Sequence, residues 1–283
     1  MNTLIELEGV YFKYAGSKEY SLKNINFKAD KGEYILITGP SGCGKSTLTR
    51  VLNGLIPNFY NGELKGKIKV VGLDVKKTPA YKMAKYVGTV FQDPENQLFL
   101  STVEREIAFG LENLGFKREV IRERVREALE MFKLNELKNK APYELSGGQQ
   151  QKVAIASIIA LRPKILILDE PTANLDPLSA EEVLQLIDKL VKSLGILAIV
   201  IEHRLEIALK YATRMIIMDK GKIIADGDPR KVIISKEANI VGIPKVVEIY
   251  KRLVSEKVSL NTIPLSPEEL AKLFVKVIKK DGE

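Results

Sequence analysis

Three kinds of apolar pattern alternate along the chain, and each predicts a different element. Near the start, "TLIELEGVYFKY", "INFKA" and "GKIKVVG" are short, rich in branched and aromatic residues and separated by turn residues, which predicts a small β region. "YILIT", "KILILDE" and "ILAIVI" are unbroken apolar runs of strand length. From about residue 94 to 160 the period becomes helical. In "EVIRERVREALEMF", Ile121, Val125, Ala128, Leu129 and Phe132 fall on one face, so a helical insert is expected to interrupt the sheet.

Between the last two strand-like runs, Asp176 and Pro177 open a helix whose apolar positions Val183, Leu186, Ile187, Leu190 and Leu194 share a face, and Gly195 ends it. Strand, helix and strand in that order make a βαβ unit, and hence a parallel sheet. "MIIMDKGKIIADG" places Lys220 and Gly221 between two apolar runs and predicts a hairpin at the sheet edge. A first domain is expected over residues 1–235. Residues 236–283 hold two helical patterns, "PKVVEIYKRLV" and "SPEELAKLFVKVI", the second opened by Ser266 as N-cap, Pro267 in the first turn and Glu269 completing a capping box.

Composition narrows the classes. The 283 residues, 45% of them hydrophobic, suffice for one large domain with an appendage or for two modest domains. A net charge of +8 suits an anionic partner such as a nucleotide, a nucleic acid or a lipid surface, although a solvated basic face reads equally well. With one cysteine, Cys43, and one histidine, His203, neither an intrachain disulfide nor a transition-metal ligand set is expected. No apolar run approaches the ~20 residues needed to cross a bilayer, and "MNTLIELEGV" lacks the pattern of a signal peptide. A location inside the cell is therefore expected, with any membrane role delegated to another subunit.

The chemistry-bearing stretches are three. "GPSGCGKST" follows a strand and matches G-x-x-x-x-G-K-[ST]. The stretch Gly39, Pro40, Ser41, Gly42, Cys43 and Gly44 can cradle phosphates with its amides, Lys45 can reach the β and γ oxygens of ATP, Ser46 is a candidate Mg²⁺ ligand, and Thr47 continues the site. "ILILDEP" ends a strand in two acids: Asp169 is placed to hold Mg²⁺ through water, and Glu170 to orient or deprotonate the water attacking the γ-phosphate. In "YELSGGQQQKVAIA", Ser146 can cap a helix while Gly147 and Gly148 leave amides open to an anion, with Gln149 next in line. Taken singly, each has a plain reading as a glycine turn, surface charge or a flexible loop.

With all three in this order, the chain resembles the ATP-binding cassette (ABC) ATPases from about residue 3 to 235. The resemblance implies a P-loop NTPase fold, α/β, with a RecA-like parallel-sheet core, an antiparallel β subdomain, a helical insert and here a C-terminal helical extension. It implies ATP and Mg²⁺ as cofactors and a head-to-tail pair of cassettes, in which Ser146, Gly147, Gly148, Gln149 and the D-loop residue Asp176 act in trans. Gln92 in "VFQDPENQ" matches the Q-loop glutamine, which contacts Mg²⁺ and the attacking water. Tyr14 matches the aromatic that stacks on adenine, with Tyr11 and Phe12 as alternatives. His203, which alone would read as readily as a structural residue at a strand end, takes the place of the switch histidine on the γ-phosphate. Glu202 stands where many relatives carry threonine, and strand alternation predicts that it points away from His203.

"VFQDPENQLFLSTVEREIAFGLENLG" is similar to the ATPases of energy-coupling factor (ECF) importers, including the cobalt and nickel type. That resemblance implies a second ATPase chain, identical or paralogous, held partly by the extension as a dimerisation element. It also implies a transmembrane coupling subunit, a substrate-binding membrane subunit for a vitamin or for cobalt or nickel, and a peripheral location on the cytoplasmic side of the cell membrane. The rival from another class is a soluble ABC ATPase acting on nucleic acid or ribosomes. The single cassette, and the lack of room for a long coiled coil between Lys45 and Ser146, weigh against it, so no nucleic acid partner is expected.

Overall fold

A computed structural model describes residues 2–256, 258 and 260–281. Twelve residues of strand β1 (Thr3–Tyr14) pair antiparallel with β2 (Leu22–Asp30), and β3 (Tyr34–Thr38) then leads into helix α1 (Lys45–Leu52). Strands β4 (Gly62–Val70) and β5 (Leu73–Asp74) complete a four-stranded antiparallel sheet in the order β2-β1-β4-β5. This is the β region that the first apolar segments predict, with β2 and β4 beginning a few residues earlier than expected.

Next come β6 (Val87–Val90) and the insert, which opens on a 3-10 turn (Pro94–Asn96) and carries helices α2 (Val103–Asn113), α3 (Arg118–Met131) and α4 (Gly147–Ile159), with two further 3-10 turns (Asn135–Leu137 and Pro142–Glu144) between α3 and α4. Strand β7 (Ile165–Asp169), helix α5 (Pro177–Leu194) and β8 (Leu197–Ile201) form the expected βαβ unit, and β9 (Arg214–Asp219) and β10 (Lys222–Gly227) the expected hairpin. The second sheet runs β10-β9-β3-β8-β7-β6, parallel throughout except at β10 on its edge.

The unbroken apolar runs are explained by burial on both faces. Along β3, Tyr34 and Leu36 face the helices while Ile35 and Ile37 face the antiparallel sheet and α1; β7 and β8 divide in the same alternating way. The insert helix α3 buries Val125, Ala128 and Leu129 as its period predicts, with Phe132 beyond its end and Ile121 packed at the margin. Helix α5 departs slightly from expectation. Val183, Ile187 and Leu190 are buried with Ala180, Leu184 and Val191, Leu186 is only half-buried, and Leu194 in the last turn is 43% exposed.

Beyond the hairpin, helices α6 (Lys245–Ser255) and α7 (Pro267–Asp281) return to the helical side of the core, where Val246, Val247, Leu260, Leu265 and Leu270 join the same cluster as Leu36 and Leu168. Ser266 caps α7 by accepting from the Glu269 amide at 3.2 Å, but the capping box is not closed as expected. The Glu269 carboxylate instead accepts from the Leu265 amide at 2.8 Å and from Arg230 at 2.7 Å, because an ion pair across elements outcompetes the local bond. Among the described residues, no helix is long and apolar enough to cross a membrane.

Candidate active site

The candidate residues gather where parallel strands end, which is where ligands bind in open α/β sheets. Strand β3 delivers the glycine loop, β6 ends just before Gln92, β7 ends at Asp169, and β8 ends just before Glu202 and His203. Because β8, β7 and β6 are consecutive neighbours, three loops distant in sequence converge.

The loop from Gly39 to Gly44 can exist only with glycine at its ends. Gly39 has φ +152°, and a Cβ there would lie 2.1 Å from the Met218 carbonyl oxygen; Gly44 has φ +113°, and a Cβ would lie 2.6 Å from the Ser21 carbonyl oxygen. The Cys43 carbonyl accepts from Gly221 N at 2.8 Å, so the β9–β10 turn holds the loop from behind. Ser41 and Gly42 are exposed at the rim, whereas the Cys43 thiol is buried, and burial pushes its pKa up against the opposing charge of Lys45. Lys45 lies on the first turn of α1, and its ammonium donates to the carbonyls of Gly39 at 2.8 Å and Pro40 at 3.0 Å. A buried ammonium held by two loop carbonyls and the Cys43 sulfur can exchange those bonds for stronger ones to phosphate oxygens.

Beside the loop, Tyr14 exchanges a hydrogen bond with the Thr47 hydroxyl at 3.2 Å and accepts from Arg50 at 3.0 Å. Tyr11 packs edge-on against Tyr20 instead, and Phe12 is fully buried and has no face to offer. Tyr60 flanks the Tyr14 ring edge-on and lies under the Arg50 guanidinium at 4.5 Å. Sequence reasoning passed over Arg50 and Tyr60, since neither carries a motif; an arginine one turn beyond Lys45 on the same helix is the only hint.

Burial raises the Asp169 carboxyl above the ordinary carboxylate range; the Ser46 hydroxyl and Lys45 oppose the shift and the Glu170 charge adds to it. Glu170 adopts a left-handed backbone, φ +50°, fastened by its amide donating to the Ile201 carbonyl at 3.0 Å. Such a conformation costs of order 1 kcal/mol in a residue with a side chain and is typical of functional turns. Its carboxylate lies between two partners: the Gln92 side-chain amide donates to Oε2 at 2.9 Å, and Nε2 of His203 lies 3.2 Å from Oε1.

Glu202 turns the other way, as alternation predicts, although it lies one residue beyond the end of β8. It is 2% exposed and accepts from the His203 and Arg204 amides at 2.8 and 3.1 Å and from the Thr172 hydroxyl, so its charge is absorbed away from the cleft.

The remaining residues lie farther along the same edge. Ser146 caps α4, accepting from the Gln149 amide at 3.4 Å, while the Gln149 side chain accepts from the Ser146 amide at 3.0 Å. Gly147 and Gly148 begin the helix, and a Cβ on Gly148 would come within 3.1 Å of Ser179 Oγ. Asp176 caps α5 by accepting from Leu178 and Ser179 amides at 3.0 Å; the Ser179 hydroxyl and these amides hold its pKa below the usual range. Asn174 donates to Asp93 at 3.1 Å and so ties the loop after Glu170 to the loop after β6, a link that no motif signals.

The donor set suits Mg²⁺. Ser46, Asp169 and the amide oxygen of Gln92 offer only hard oxygen ligands, and no cluster of three His, Cys, Asp or Glu side chains occurs among the described residues to favour a softer metal.

A glycine cradle, an adjacent acid pair and a helix-capping "SGG" on a parallel sheet with an antiparallel β subdomain define an ATP-hydrolysing P-loop cassette. The family described as ABC transporter matches residues 22–173. The chain belongs to the ABC transporter ATP-binding protein family and carries an ATPase domain whose hydrolysis is coupled to transport. A provisionally named ABC transporter ATP-binding protein of Pyrococcus abyssi is 42% identical over 98% of this chain and 99% of its own length. One from Caldanaerobacter subterraneus is 44% identical over 95% of this chain but only 48% of its own. Among solved structures, cbiO1 of Clostridium perfringens, part of the ABC transporter complex cbiONQ, aligns with TM-score 0.77 and 33% identity over 90% of this chain and 98% of that one. An ATP-binding cassette solved as a dimer in a post-hydrolysis state with ADP and Pi aligns with TM-score 0.69 and 30% identity over 80% of this chain and 99% of that one. Members of the family bind ATP with Mg²⁺, pair as cassettes and couple to transmembrane subunits.

Proposed function

We propose that this chain is the ATP-hydrolysing subunit of an ECF-type importer, driving uptake of a vitamin or of a cobalt or nickel ion through a separate transmembrane subunit. The observation that carries the reading is the likeness to cbiO1, part of the ABC transporter complex cbiONQ, which covers 90% of this chain and 98% of that one at 33% identity. Phe91, Phe99 and Phe109 support it, being exposed beside the Q-loop, with Phe99 and Phe109 packed edge-on 5.0 Å apart. Such an aromatic face suits the coupling helix of a membrane subunit.

In this reading Lys45 gives up the Gly39 and Pro40 carbonyls for the β and γ oxygens, the loop amides from Gly39 to Thr47 hold the phosphates, and Tyr14 stacks on adenine. Ser46, Gln92 and, through water, Asp169 would hold Mg²⁺, which when bound supplies charge neutralisation at the phosphate oxygens. Glu170 orients or deprotonates the attacking water, Gln92 fixes the carboxylate, and His203 donates to the γ-phosphate. Ser146, Gly147, Gly148, Gln149 and Asp176 serve the nucleotide of a second ATPase chain, identical or paralogous, with residues 236–283 helping to hold the pair. The pair sits peripherally on the cytoplasmic side of the membrane, beside the coupling and substrate-binding subunits.

Affinity purification of the tagged chain from native membranes tests the assignment. Recovery of a multi-span membrane protein together with a small membrane-embedded binding protein is the expected result; recovery of ribosomes or DNA in their place overturns it.

A further inference from the structure

Both neighbours of His203 in the chain reach the same loop. Glu202, on one side, spends one carboxylate oxygen on the amides of His203 and Arg204 and the other on the Thr172 hydroxyl. Arg204, on the other side, donates through its guanidinium to the carbonyls of Thr172 at 3.1 Å and Leu175 at 3.0 Å. Thr172 is fully buried and Glu202 nearly so, which makes each bond costly to leave unmade. The loop so held runs from Glu170 to Asp176, and its Asn174 holds Asp93 next to Gln92.

Buried polar networks of this kind have few alternative arrangements, and a charge-assisted bond such as hydroxyl to carboxylate is strong. A carboxylate this enclosed cannot act on a nucleotide itself, and its geometry fixes the backbone on which His203 stands.

We infer that Glu202 and Arg204 are positioning residues for ATP hydrolysis, bracketing His203 and the Thr172–Asp176 loop into one rigid unit, so that movement of the loop at a partner cassette shifts His203 against Glu170. The inference rests on the reading of His203 as the γ-phosphate residue and of Asp176 as a residue acting across the pair. It assigns Glu202 a task that threonine at that position could not perform in the same way, since a threonine hydroxyl is too short to serve two amides and a second hydroxyl together.

The test uses the full-length chain in its paired form, measuring ATP turnover, ATP affinity and melting temperature for Thr172→Val, Thr172→Ser, Arg204→Gln and Glu202→Gln. Thr172→Val and Arg204→Gln are expected to lower kcat about tenfold with KM nearly unchanged and the melting temperature lowered by about a few degrees, Thr172→Ser to restore turnover, and the Thr172→Val/Glu202→Gln double variant to be no slower than the worse single, because coupled residues are non-additive. Unchanged kcat in Thr172→Val, failure of Thr172→Ser to restore it, or a fall in ATP affinity as large as the fall in kcat overturns the bracket. His203→Ala, measured alongside, separates the two failures. Normal hydrolysis there removes the histidine's role and the bracket with it, whereas a large loss there beside a normal Thr172→Val overturns the bracket alone.

Discussion

Nε2 of His203 lies 3.2 Å from Oε1 of Glu170, although 33 positions of chain, including an 18-residue helix, separate them. The contact exists because β7 and β8 are adjacent parallel strands whose last residues, Asp169 and Ile201, are paired in register. In the proposed mechanism this sets the residue handling the attacking water and the γ-phosphate donor on a common edge before any substrate arrives.

If Glu170 handles the attacking water, Glu170→Gln should bind ATP normally and turn over roughly 10²-fold or more slowly, the scale of a lost general base. Equilibrium ATP binding and phosphate release measured on one preparation check this; near-normal release would remove Glu170 from the chemistry.

Gln92 acts on the same carboxylate through the amide donated at 2.9 Å. Gln92→Ala should reduce kcat by about tenfold, with a smaller effect on ATP affinity than any P-loop change, since positioning contributes mainly in the transition state. Steady-state kinetics across ATP and Mg²⁺ concentrations would expose the reverse pattern, a KM defect alone.

The three loop glycines differ in what they tolerate. Gly39→Ala and Gly44→Ala drive a methyl into backbone oxygen at 2.1 and 2.6 Å and should abolish nucleotide binding. Gly42→Ala, at φ +74° with open space around it, should cost only about 1–2 kcal/mol of conformational strain and leave measurable binding. Titration of a fluorescent ATP analogue, with thermal melts, ranks the three.

At the C-terminal helices the relevant variable is pH. Burial would raise the Glu269 carboxyl, but bonds from Arg230 and the Leu265 amide outweigh it and hold the folded pKa below the ordinary value of about 4.3. A depressed carboxylate contributes stability that is fully present above the unfolded pKa and lost as pH falls through the folded one. The protection of α7 amides relative to the unfolded chain at the same pH should therefore be high at neutral pH and fall below about pH 4, and Arg230→Met should lower it already at pH 7. A protection factor in the wild-type chain that does not change between pH 7 and pH 3 would contradict the linkage.

Much of this architecture was legible because local chemistry dictated it. "GPSGCGKST" needs glycine at Gly39 and Gly44 because the backbone there has positive φ, a local demand, although the oxygens that would meet a Cβ belong to the distant Met218 and Ser21; Asp176 with Pro177 starts a helix by capping its first turn. Unbroken apolar runs identify β3, β7 and β8 as strands covered on both faces. The burial of α5 was less legible at its end, since Leu194 keeps the helical period yet stays exposed in the last turn, where period alone does not say which neighbours pack.

By itself, then, the sequence determined the elements, the phosphate cradle, the acid pair and the helix caps, because each follows from backbone sterics and short-range hydrogen bonding. Only the tertiary structure decided the placing of Tyr14 rather than Tyr11 or Phe12 beside the P-loop, the diversion of Glu269 from its own cap to Arg230, and the choice of Thr172 as the buried partner of Glu202, whose direction alternation already predicted. Those outcomes depend on which strands become neighbours and which buried polar groups can satisfy one another, and such pairings between distant segments leave no periodic trace in the chain.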